Sequence, residues 1–239
     1  MNDGCDCQIF RSSFIPTLVT FIALALPPQA SAQPLVSESL CGPLNAVQGD
    51  NRHINQKQRQ LVEGAHFPSH VENLIRGHST HFAGDISYTL IAFPNHYRAL
   101  VSAVRYAEKS KSDTPPQMWY PVECWFERAI RFKADDHIVR MLYADFLIKR
   151  SRHEEAIRQL DAALFYADPE SPITPYNVGF LYLEMKRYDK ALLYAQKAQA
   201  MGFPKLELRR RLETAGKWSD PESTPTPSET IPIAPELAP

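Results

Sequence analysis

Small and apolar positions give the back half of the chain a helical rhythm. Ala156, Leu160 and Ala163 are echoed by Ala191, Ala195 and Ala198, 35 residues further on, and spacings of four and three put each trio on one helical stripe. A small residue precedes each trio on a first helix, Ala144 in one copy and Gly179 in the next, as a close approach of two helices requires. The polar stretch Lys149 to His153 suits a turn between the helices of the first copy. Glu154 and Glu155 then open the second helix, where negative charge suits the helix dipole, and Asp168-Pro169 stops it. In the next copy Tyr182 follows Gly179 by three, Tyr188 stands at the turn, and Gly202 and Pro204 close the unit. Helix-turn-helix units are therefore predicted over 137–170 and 172–205.

A looser copy spans 97–136. Phe126 and Ala129 fit its second helix, Ala134 takes the place of a terminal proline, and about six extra residues lie between its helices around Ser110 to Pro116. Ahead of it, Thr89 to His96 reads as the end of another second helix, closed by Pro94, with Asn95 available as a cap. Residues 206–218 read as one more amphipathic helix, carrying Leu206, Leu208 and Leu212 and ended by Gly216, a polar-faced cap of the kind a stack of repeats needs.

The small residues, tyrosines, alanines and terminal proline of these units resemble the tetratricopeptide repeat family. That resemblance implies an all-α helix-turn-helix solenoid of about three hairpins plus a capping helix over 82–218, with a non-repeat N-terminal extension over 33–81. It also implies a concave groove lined by the first helices, to which Arg105, Met141, Asp145, Lys149, Tyr176, Phe180 and Glu184 correspond. A surface that mixes apolar and charged groups suits an extended peptide or a partner helix. One variant of the family clamps a C-terminal carboxylate; Asn177 fits that pattern, but Met141 and Asp145 stand where a lysine and an asparagine would be needed, so this ligand is not expected.

The N-terminus predicts export. Phe14 to Leu26 is apolar, Arg11 precedes it, and Pro27, Pro28 and Ala30-Ser31-Ala32 follow, the layout of a signal peptide occupying 1–32 and cut after Ala32. The run is shorter than the roughly 20 residues of a spanning helix, so no stable membrane insertion is expected after cleavage. A periplasmic or secreted location follows as an expectation. Cleavage would leave Cys41 and Cys124 as an even pair, which the sequence allows to be either a disulfide tying the extension to the first hairpin or two unrelated thiols. Residues 219–239 hold six prolines and no base, which predicts a disordered proline-rich tail.

A net charge of -1 argues against attraction to nucleic acid, and Arg209-Arg210-Arg211 reads as a solvated helix face. None of the nucleophile-elbow, zinc-protease, phosphate-loop or dinucleotide motifs occurs, so no catalytic residue is assigned. Six of eight histidines fall between 53 and 96, and His66 with His70 has the i, i+4 spacing of a shared metal site. Pro68 and the capping-box pair Ser69 and Glu72 interrupt that spacing, because a helix starting near His70 leaves His66 outside it. The expectation is an exported, non-catalytic interaction module without cofactor that binds a peptide or protein partner in the cell envelope. The alternative is a metal-binding protein or enzyme with its site in the histidine-rich extension, at His66 and His70.

Overall fold

The computed structural model describes residues 40–220. The predicted signal peptide and nearly all of the predicted tail lie outside these residues. The described chain is all helical: α1 (Gln56–His66), α2 (Ser69–Glu72), α3 (Phe82–Ala92), α4 (Tyr97–Ser110), α5 (Val122–Phe132), α6 (His137–Ile148), α7 (His153–Tyr166), α8 (Ile173–Glu184), α9 (Tyr188–Ala200) and α10 (Glu207–Thr214). Helices α6 with α7 and α8 with α9 pair most extensively, and α4, α6 and α8, the first helices of successive hairpins, pack side by side.

The periodic stripe is what closes the hairpins. Ala156, Leu160, Ala163, Ala191, Ala195 and Ala198 are all buried, in one core with Ala144, Leu147, Val178 and Tyr182 of the first helices. Burying a leucine such as Leu160 stabilises by about 1.5–3 kcal/mol, whereas the alanines contribute by letting helix axes come close. Gly179 is small for a further reason. A Cβ there would lie 2.5 Å from Leu208 Cδ2, so α10 sets the limit as much as the hairpin partner does.

All three first helices end in the same way. Lys111, Ser151 and Lys186 adopt the left-handed conformation with φ of 52°, 57° and 58°. The following amide reaches back five residues, Ser112 to the Ala107 carbonyl, Arg152 to Leu147 and Arg187 to Tyr182, each at 2.9–3.0 Å. These are Schellman endings built without glycine. The extra residues of the looser unit, 111–121, are inserted directly after this shared ending.

The turns from a second helix into the next first helix also recur. His96 and Asp136 occupy equivalent places, with φ/ψ of -77°/97° and -78°/92°, and each caps the helix that follows. His96 Nδ1 accepts from the Ala99 amide at 3.1 Å, and Asp136 accepts from the Ile138 and Val139 amides at 3.2 Å. The expectation for Asn95 is therefore corrected: it caps nothing. Its side chain is buried and donates to Asp136 at 2.8 Å and Asp50 at 2.7 Å, while accepting from the Asn51 amide at 2.9 Å. Tyr97 adds a hydroxyl at 3.0 Å from Asp136. This buried polar cluster fastens the 50–52 segment to the repeats, so the extension and the helical units fold together.

The Cys41–Cys124 disulfide makes a second fastening, across 83 residues of sequence. Beside it Arg128 is 1% exposed and donates to the carbonyls of Cys41 at 2.9 Å and Pro43 at 2.8 Å, with its guanidinium over the Tyr120 and Trp125 rings. Gly42, at φ 70°, lies where a Cβ would come 2.1 Å from the Tyr120 hydroxyl, so this position requires glycine for both conformation and space.

Candidate peptide-binding groove

The side-by-side first helices leave a concavity on their shared face. Ile138, Met141, Leu142 and Asp145 of α6 face Asn177, Phe180 and Leu181 of α8 across a space of about 320 Å³. A smaller hollow of about 50 Å³ continues toward α4, lined by Val101, Val104, Arg105, Phe126, Leu142, Asp145 and Lys149. Leu142 and Asp145 border both, so a single trough runs from Val101 to Phe180. Its floor is apolar, and among the described residues no further helix layer covers it, although Arg211 of α10 reaches over Phe180.

Charges are spaced along that floor. Lys149 Nζ sits 3.0 Å from both Glu108 and Asp145. Burial works against its ammonium, but the hydrogen bonds to Glu108 and Asp145 outweigh that and hold its pKa above the ordinary value. Glu184 behaves in the opposite sense. Burial, then the charge of Asp145, push its pKa up, and Lys149 and Arg211 only partly compensate. Near this end of the trough Asp145, paired with Lys149, and Glu184 supply two carboxylates beside the cations Lys149 and Arg211. Arg211, reaching over from α10, stacks at 5.3 Å from the Phe180 ring centre.

Most of the side chains expected in the groove are placed there: Arg105, Met141, Asp145, Lys149 and Phe180 line the trough, whereas Glu184 is exposed outside its lining, near Asp145 and Lys149. Tyr176 does not. It is 8% exposed and packs 4.3 Å from the Phe203 ring, in a small hollow with Ala195, Ala198 and Leu208, so it belongs to the contact between α8, α9 and α10. The reason is position along the helix: Tyr176 shares a face with Phe180, one turn earlier, but at the N-terminal end of α8 the returning 203–208 segment covers that face. Leu142, Asn177 and Leu181 line the trough beside the expected positions. Leu142 stands four residues after Ile138 and Leu181 four after Asn177, and that helical spacing was the available signal.

The histidine-rich extension is organised differently from either sequence alternative. His66 ends α1 and His70 lies on α2, so they do not share a helix face. His66 Nδ1 is 3.1 Å from Asp85, a fully buried carboxylate whose other oxygen accepts the amides of His78 at 2.7 Å and Ser79 at 3.2 Å. The His66 ring also stacks on Tyr88 at 3.8 Å. His96 Nε2 meets Glu63 at 2.9 Å. Since Nδ1 of His96 accepts a backbone amide, Nε2 carries the hydrogen that Glu63 accepts. His81 Nδ1 likewise accepts the Ala83 amide and caps α3. Three histidine side chains thus do structural work or pair with carboxylates, and among the described residues no group of three or more His, Cys, Asp or Glu side chains is placed to hold a metal ion. Among the described residues no helix is long and apolar enough to cross a membrane.

Comparison of the chain with known protein families, curated proteins and solved structures gives no match.

Proposed function

We propose that the chain is a tetratricopeptide-like interaction module that works outside the cytoplasm and binds one segment of a protein partner in the trough of α4, α6 and α8. The ligand is a peptide with an apolar side chain for the floor made by Ile138, Leu142 and Phe180 and a lysine or arginine for Glu184 and Asp145. The observation that carries this reading is the apolar trough that stays open among the described residues, with the Asp145 and Glu184 carboxylates near one end. Apolar anchors in such a site supply affinity, and the charge fixes register. The repeat period, the common helix endings and the lateral packing of first helices support the family reading. The disulfide between Cys41 and Cys124 supports an oxidising compartment, in keeping with the expected signal peptide.

Selection of displayed random peptides on the purified protein tests it. Enriched sequences should combine an apolar residue with a basic one, and Phe180→Ala should weaken them by roughly 10- to 100-fold, the loss of about 1.4–2.8 kcal/mol. Asp145→Lys with Glu184→Lys should shift the preference from basic to acidic ligands. Peptides whose affinity ignores all three substitutions would place binding elsewhere and end this reading.

A further inference from the structure

We propose that His70 and His78 form a site for one divalent transition-metal ion of the zinc class, with solvent completing its coordination. His70 lies on α2 and His78 in the loop that leads to α3. Their ring centres are 5.3 Å apart and their planes are tilted by 45°. A metal about 2.1 Å from one nitrogen of each ring, with the two bonds near the tetrahedral angle, places imidazole centres about 5 Å apart, a spacing that the observed ring separation allows. Nε2 of His70 is enclosed and finds no hydrogen-bond partner among the described residues. An enclosed ring nitrogen of this kind calls for a ligand, and a bound ion supplies one.

The surroundings hold the pair in place. The buried Asp85 carboxylate accepts the His78 amide, which fixes the loop from which the His78 ring projects. His66, the partner that sequence spacing offers to His70, is instead committed to Asp85 and stacked on Tyr88. The charged groups that reach His70 are Arg76 and, when protonated, His78, which oppose a cation, and Asp85, which favours one. Imidazole nitrogens select zinc, copper or nickel over magnesium or calcium. Two protein ligands against one nearby guanidinium give only modest affinity. This site is separate from the trough and does not depend on it.

The experiment is calorimetric titration of the purified, disulfide-bonded, tag-free protein with zinc chloride, beside imidazole nitrogen NMR. The expected result is one equivalent of Zn²⁺, with the His70 and His78 resonances shifting together, and an affinity weakened at least about tenfold by either His70→Gln or His78→Ala. His153→Ala should leave binding unchanged, and circular dichroism of each variant without metal should match the parent. No binding, or several weak equivalents indifferent to both substitutions, overturns the proposal. Retention in His78→Ala with loss in His66→Gln also overturns it, by returning the site to His66 and His70.

Discussion

Asp136 is the residue on which the junction between extension and repeats turns. It is fully buried and accepts hydrogen bonds from Asn95, Tyr97 and two backbone amides. Replacing it with alanine strands four donors, and the expected cost is about 3 kcal/mol, measurable as a lower urea midpoint. The neighbouring carboxylates give a pH signature. Burial alone would raise the pKa of Asp50, but hydrogen bonds from Arg52 and Asn95 outweigh it and bring it well below the ordinary 3.8. The hydrogen bond from His96 lowers Glu63 below its ordinary 4.5. A carboxylate with a depressed folded-state pKa stabilises the fold above its unfolded value and loses that contribution as pH falls toward the folded one. Stability should therefore hold above pH 4.5 and decline below it. Asp50→Asn should reduce stability at pH 7 and flatten the decline below pH 4, as chemical denaturation at several pH values would register.

At the scale of the element, the hairpin endings have room for improvement. Lys186 and Ser151 occupy left-handed positions that carry a steric cost for any residue with a Cβ, roughly 1–2 kcal/mol, against which glycine loses up to about 1 kcal/mol through the greater freedom of its unfolded chain. Lys186→Gly should raise stability by about 0.5–1 kcal/mol and leave peptide binding untouched, as thermal melting and a binding curve would record. Much of the element structure was legible in the chain. The trios beginning at Ala156 and Ala191 are local, and spacing along one helix determines which side chains share a stripe whatever the helix later meets. The capping role of His96 was not legible, because Asn95 is the better intrinsic cap. The buried contact with Asp136 and Asp50, brought from 41 and 45 residues away, claimed the asparagine first.

For the whole molecule, the Cys41–Cys124 bridge and the Asp50–Asn95–Asp136 cluster fix the extension at two points. Closing a loop of about 84 residues removes chain entropy from the unfolded state worth up to about 4–5 kcal/mol. Reduction, or Cys124→Ser, should lower the melting temperature by well over 5 °C and raise amide exchange over 40–54, where Arg128 would lose its fixed carbonyl acceptors. Equal exchange in oxidised and reduced protein would show that the polar cluster alone holds the segment.

By itself the sequence determined the helices of the two periodic units, their 35-residue offset, the residues that close those hairpins and the mixed character of the first-helix face, because these follow from 3.6-residue periodicity and short-range turn chemistry; the helix over Gln56–His66 carried no such signal. Tertiary structure alone decided which faces stayed open. Tyr176 went under the 203–208 return while Phe180, one turn on, stayed in the trough; His66 was drawn to Asp85, leaving His70 to face His78. A helix displays every side chain on its cylinder, and burial is settled by what packs against it, which no local pattern encodes.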